Sequence, residues 1–132
     1  MVLLLDTDIC IHLIRERPRS ILDRFSEHAV GDIGISVVTL AELEYGVSKS
    51  SKPGRNKHAL DQFIAPLVVA AFDRPATAVY GKLRTTLEKK GQAIGAMDLL
   101  IAAHALSLNV RLITHNVREF ARVPGLRVET WG

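Results

Sequence analysis

Short apolar runs alternate along the chain with longer stretches in which apolar residues return every three or four positions, the pattern of strands separated by amphipathic helices. The first run, residues 2–5 (Val-Leu-Leu-Leu), is stopped by Asp6 and predicts a strand buried on both faces. Helices are expected from about Ile9 to Arg15 and from about Pro18, a good first-turn residue, to His28. Gly31 and Gly34 read as turn punctuation ahead of a second strand, Ile35 to Val38. Thr39-Leu40-Ala41-Glu42 has the Thr-x-x-Glu form of a capping box and predicts a helix ending near Tyr45 or Val47. Beyond it the pattern predicts a helix over about residues 56–64, a strand over 67–72, a long helix from Pro75 closed by Gly91, and a helix over about 96–107 ended by Asn109. Residues 110–114 predict a fourth strand, 117–121 one helical turn, and 126–129 a short edge strand. Strands separated by helices are joined by crossovers, so the expected fold is α/β: a three-layer α/β/α sandwich around a mostly parallel sheet of four or five strands, in one domain over residues 1–132.

Composition narrows the function classes. With 48% hydrophobic and 23% charged residues, the 132-residue chain can bury a core, which excludes a disordered segment and leaves little room for a second module. Four Phe, two Tyr and one Trp are too few for a protein that reads single strands by stacking bases on exposed rings. Cys10 is alone, so no internal disulfide forms and a reducing cytosol fits best. The Leu run is too short for a signal-peptide core or a membrane span, and no membrane partner is expected.

Open parallel sheets place ligands beyond the carboxyl ends of their strands. Acids recur there: Asp6 and Asp8 after the first run, Glu42 after the second, Asp98 in the first turn of the helix after Gly95, and Glu119 past the fourth strand. Taken singly, an acid in a first helical turn needs no chemistry, because it satisfies free amide protons and the helix dipole, and Glu42 suits a capping box. The recurrence in four segments is the signal. If they converge, each like-charged pair about 4 Å apart costs about 4 kcal/mol at an effective dielectric of 20, so some must protonate or a cation must bind. Oxygen-only donors suit Mg²⁺ or Mn²⁺, and Mg²⁺ readily shares its shell with a substrate phosphate. Setting four such acids aside leaves 17 basic residues against 10 acidic ones, a balance suited to a polyanionic substrate.

Four ordered segments carry a family resemblance: Leu3-Leu4-Leu5-Asp6-Thr7-Asp8-Ile9-Cys10-Ile11, Ser36-Val37-Val38-Thr39-Leu40-Ala41-Glu42-Leu43-Glu44-Tyr45-Gly46, Asp98-Leu99-Leu100-Ile101-Ala102-Ala103-His104-Ala105 and Thr114-His115-Asn116-Val117-Arg118-Glu119-Phe120. Together they resemble the PIN-domain ribonucleases, and within them the VapC toxins of bacterial toxin–antitoxin pairs. The resemblance implies a PIN-like sandwich and a cytoplasmic, Mg²⁺-dependent (alternatively Mn²⁺-dependent) endoribonuclease leaving a 3′-hydroxyl and a 5′-phosphate. It also implies a homodimer inhibited by a VapB-type antitoxin seated in a hydrophobic groove, for which Ile11, Leu13 and Ile14 are candidates and equally core residues. By resemblance, Asp6, Glu42 and Asp98 hold the metal, Asn116 and Glu119 form the fourth motif, where many relatives carry Asp, and Thr7, Thr39 and Thr114 support them. Asp8 stands where relatives often carry Asn or Ser. The ending Val123-Pro124-Gly125-Leu126, with Glu129 and Trp131, resembles enteric-type VapC toxins, which cut initiator tRNA in its anticodon loop.

The basic stretch from residue 49 to 57 supplies Lys49, Lys52, Arg55 and Lys57, read as a solvated loop or the start of a helix. With Arg84, Arg111 and Arg118 these are candidates to follow an RNA backbone, with ordinary solubility as the competing account. Two rivals share the fold class. A receiver domain needs a phosphoacceptor Asp ending a central strand, whereas Asp61 lies in a helical pattern; a haloacid-dehalogenase-type phosphatase would share Asp6-Thr7-Asp8, but Cys10 stands where Thr or Val is expected. The five histidines show no paired zinc spacing, and His104 reads as a half-buried packing residue.

Overall fold

The computed structural model describes residues 1–131. Five strands, β1 (Leu3–Leu5), β2 (Ile33–Ser36), β3 (Val68–Ala70), β4 (Arg111–Ile113) and β5 (Val128–Glu129), form one parallel sheet in the order β3-β2-β1-β4-β5. Seven helices among the described residues connect and cover them: α1 (Thr7–Arg15), α2 (Arg19–Ser26), α3 (Val37–Ser48), α4 (Pro53–Ile64), α5 (Arg74–Lys89), α6 (Ala96–Leu108) and α7 (Val117–Phe120). The chain adds strands outward from β1 through β3 and then returns to the other side of β1. The order therefore reverses between β1 and β4, which opens a crevice at their carboxyl ends.

Alternation along each strand divides the core in two. Leu3, Leu5, Ile33, Ile35 and Ile113 meet Ile9 and Leu13 of α1, Ile21 of α2, Leu43 of α3, Leu60 of α4, and Trp131. On the opposite face Leu4 and Leu112 meet Leu83 and Leu87 of α5, Leu99, Ile101, Ala102 and Ala105 of α6, and Phe120 of α7. Every β1 side chain is buried because helices cover both faces, which is why that strand is an unbroken Leu run. No helix among the described residues is long and apolar enough to cross a membrane.

Several boundaries differ from expectation. β2 ends at Ser36, and Val37 and Val38 already lie in α3. Ser36 is the helix N-cap, its Oγ accepting the Val38 N–H at 3.0 Å, so Thr39 is not a cap and the capping-box reading of Glu42 fails. Gly34 sits inside β2, where a Cβ would run into Met1 Sδ and stand 2.9 Å from the Val68 carbonyl oxygen. It is glycine for close approach rather than for a turn. The basic stretch splits: Lys49 ends α3, and Pro53 opens α4, which carries Arg55 and Lys57. His104 is fully buried rather than half-buried.

Candidate active site

Asp6 follows β1 directly at the switch crevice, where its N–H donates to the Ile113 carbonyl of β4 at 2.9 Å. The side chain is 2% exposed. One carboxylate oxygen accepts the Thr7 N–H at 2.6 Å, so Asp6 caps α1, and the other accepts the Thr114 hydroxyl at 2.5 Å. Thr114 is itself held, because its N–H donates to the Glu129 carbonyl and its oxygen accepts the Asn116 N–H at 2.9 Å. Burial pushes the Asp6 carboxyl up to about 6, with the charges of Asp8 and Glu42 adding, against the lowering pull of the Thr114 and Thr7 hydrogen bonds.

Glu42 reaches the same crevice from the second turn of α3, accepting the Thr7 hydroxyl at 2.7 Å, while Thr39 Oγ1 lies 3.1 Å from Thr7 Oγ1. Asp98, in the first turn of α6, is pushed up to about 8, chiefly by burial, then by the hydrogen bond and charge of Glu119, and further by Asp6 and Asp8. Glu119 moves down, first because Asp98 donates to it, and also because it accepts the Gly95 N–H at 3.1 Å and the Asn116 amide at 2.8 Å and faces Arg122. Asp98 thus keeps a proton at neutral pH that it shares with an ionised Glu119. That proton relieves part of the repulsion among the acids.

The fold therefore brings Asp6, Glu42, Asp98, Glu119 and Asn116 to one crevice, with Thr7, Thr39 and Thr114 as their hydroxyl donors or neighbours. Asp8 stays exposed at the start of α1 and acts on Asp6 through its charge. As the side chains stand, no three His, Cys, Asp or Glu among the described residues close into a metal-ligand cluster, since Glu42 turns to Thr7 and Asp98 to Glu119. The donor set is nonetheless oxygen only, and buried Asp6 is poised to ionise near neutral pH. That chemistry fits a hard divalent cation.

The basic candidates separate by partner. Lys57 bridges Glu44 at 2.6 Å and Asp61 at 3.1 Å, Arg84 meets Glu88 at 3.3 Å and the Tyr80 hydroxyl at 3.0 Å, and Arg111 meets Glu129 at 2.7 Å. Lys49, Lys52, Arg55 and Arg118 are exposed and lack a carboxylate partner among the described residues, and Lys49 lies over the Tyr45 ring. Ile11 and Ile14 line a cleft of 140 Å³ with Leu43, Val47 and Leu60, and Ile14 also lines a second cleft of 290 Å³ with Leu22, Phe25, Phe63 and Leu13, which is otherwise packed in the core. Sequence reasoning missed Ser36, for which a hydroxyl ahead of an apolar stretch was the available signal, and missed the Gly95 N–H, for which there was none.

The sequence profile of the PIN domain matches residues 3–126. The chain is 46% identical to ribonuclease VapC2 of Rickettsia felis over 132 residues, covering 99% of this chain and 98% of that one. It is 41% identical to the tRNA(fMet)-specific endonuclease VapC of Shigella flexneri over 128 residues, covering 97% and 96% respectively. Among solved structures it matches VapBC2 of Rickettsia felis bound to a DNA fragment from their promoter, with a TM-score of 0.92, 43% identity and full coverage of both chains. DNA-bound VapBC of Salmonella typhimurium gives a TM-score of 0.97 at 39% identity, covering 100% of this chain and 99% of that one. An acid-lined crevice at the β1/β4 reversal and this likeness along the whole chain agree: the chain belongs to the PIN-domain family and, within it, to the VapC ribonucleases.

Proposed function

We propose that the protein is the toxin of a toxin–antitoxin pair, a Mg²⁺-dependent endoribonuclease that hydrolyses RNA phosphodiester bonds at the β1/β4 crevice. The observation that carries this reading is the meeting of Asp6, Glu42 and Asp98 there, with the Asp6 carboxyl pushed up to about 6 and Asp98 to about 8. Asp6 and Asp98 would hold the cation directly and Glu42 through a ligand bond or a bound water, with Mn²⁺ as the alternative ion. When bound, such an ion supplies a water of lowered pKa and offsets charge on the scissile phosphate. The chain's own groups do the rest. Thr114 and the Thr7 N–H fix Asp6, the Thr7 hydroxyl orients Glu42, and Glu119, anchored by Asn116 and Gly95, accepts a hydrogen bond from Asp98 until that carboxyl ionises to meet the cation.

Of the basic candidates, Lys49, Lys52, Arg55 and Arg118 are those without a carboxylate partner among the described residues, and they would meet a phosphate backbone. The 41% identity to a tRNA(fMet)-specific endonuclease supports initiator tRNA, cut in its anticodon loop, as the substrate. Similar solved structures are VapBC assemblies, which supports a VapB-type antitoxin as partner, and the apolar clefts beside Ile11, Leu13 and Ile14 are surfaces available to it. Assembly as a homodimer in the cytoplasm completes the proposal. The test is cleavage of total RNA with mapping of the cut ends: activity must require a divalent cation, vanish with EDTA, and vanish in Asp6→Asn and Asp98→Asn. Cleavage that persists in those variants refutes the assignment.

A further inference from the structure

His104 is fully buried on α6, six residues beyond Asp98, and its Nδ1 lies 2.7 Å from Ser36 Oγ. Ser36 is the N-cap of α3, the helix that carries Thr39 and Glu42, and its oxygen already accepts the Val38 N–H at 3.0 Å. The hydroxyl proton of Ser36 is therefore free to be donated to Nδ1, which places the ring proton on Nε2. Nε2 has no hydrogen-bond partner among the described residues, although the Ala71 carbonyl and the charge of Asp73 act on the ring and Phe72 packs edge-on at 5.2 Å. One imidazole thus joins α6, the start of α3 and the segment after β3.

An imidazole whose Nε2 makes no hydrogen bond of good geometry among the described residues is a cost to stability that a phenyl ring of similar size would avoid. Around it on α6 stand Ile101, Ala102, Ala103 and Ala105, all buried and all apolar. Packing alone therefore favours a hydrocarbon at this position, and the histidine needs another reason. Apolar packing is non-directional, whereas the Ser36–His104 hydrogen bond fixes α6 against the α3 terminus in one register.

Resting on the ribonuclease reading, we infer that His104 is a positioning residue: through Ser36 it holds the helix bearing Asp98 against the helix bearing Glu42, so that carboxylates from the two can serve one cation. Misplacement of reacting groups by about 1 Å costs up to about a hundredfold in rate.

The test uses purified protein carrying His104→Phe, His104→Asn, Ser36→Ala or the His104→Phe/Ser36→Ala pair. For each, melting temperature, RNA cleavage and calorimetric titration with Mn²⁺ are measured. His104→Phe is expected to melt at or above wild type yet to cut about tenfold to a hundredfold more slowly and bind Mn²⁺ more weakly. His104→Asn leaves a void and melts lower, but its amide oxygen can take the Ser36 proton, so it should outperform His104→Phe in cleavage and Mn²⁺ binding. The double variant should lose no more activity than the worse single one. A structural role predicts the reverse ranking, with activity following melting temperature, and that result overturns the inference, as does His104→Phe with wild-type cleavage and Mn²⁺ affinity. Wild type that binds Mn²⁺ but cuts no RNA refutes the ribonuclease reading instead, and the positioning role is then decided by the Mn²⁺ affinities.

Discussion

Asp6→Asn should abolish cleavage and, with EDTA present at neutral pH, make the protein more stable. Moving the Asp6 carboxyl from its ordinary 3.8 to about 6 by burial corresponds to about 3 kcal/mol. Because the folded value lies above the unfolded one, the folded chain binds this proton more tightly. The stability it contributes is complete below about pH 4 and is lost as pH rises through about 6. A neutral amide removes that pH-dependent loss. The substitution is not free of cost, since Asn can still accept the Thr7 N–H and turn its NH₂ toward Thr114, but the Thr114 hydroxyl proton then loses its acceptor, at about 1 kcal/mol. The net gain at pH 7.5 is about 2 kcal/mol, or about 6 °C for a chain of this size.

The assay is scanning calorimetry of wild type and variant at pH 7.5 and pH 4, with EDTA and then with Mg²⁺. The advantage of Asn should disappear at pH 4, where Asp6 is protonated. Added Mg²⁺ should raise the melting point of wild type alone, because only a native state that binds a ligand is stabilised by it. A variant that melts below wild type at pH 7.5 in EDTA, or a difference that does not change with pH, would refute the account of Asp6 as a carboxylate strained by burial.

Glu119→Gln removes the negative charge that helps keep the Asp98 proton while leaving an amide oxygen able to accept it, so Asp98 should ionise at lower pH, and the pH at which Mg²⁺ half-saturation of the cleavage rate levels off should fall; an unchanged profile would show that the Glu119 charge does not set it. Gly34→Ala puts a Cβ 2.9 Å from the Val68 carbonyl oxygen, a backbone atom that moves only with β3, and should cost about 1–3 kcal/mol in denaturant unfolding. Replacing Lys49, Lys52 and Arg55 together by Gln should weaken RNA binding and flatten its salt dependence, whereas Lys57→Gln, whose charge already faces Glu44 and Asp61, should leave that slope nearly unchanged. Filter binding across a salt series separates the two, and equal slopes for both variants would count against the assignment.

What the sequence could and could not reveal follows from how local each determinant is. Leu3 to Leu5 announce a doubly covered strand because burial of consecutive residues needs no knowledge of partners, and Asp6 inherits its place at the crevice from that run. Gly34 looks like punctuation because the atom that requires a missing side chain, the Val68 carbonyl oxygen, lies far away in the chain. The start of α3 was misplaced for a related reason. Ser36 and Thr39 are both capable caps, and two β-branched valines between them favour strand by propensity, so only the tertiary demand for Thr39 and Glu42 at the crevice selects Ser36. The i,i+4 pairs Lys57–Asp61 and Arg84–Glu88 were legible once those stretches are read as helices. The Arg111–Glu129 pair was not, because it crosses between two strands. The least local feature is the Asp98 proton, which is held by burial and by Glu119, from another segment, with the charges of Asp6 and Asp8 adding. Sequence order names which acids end the strands; the strand reversal between β1 and β4 makes them share one electrostatic field.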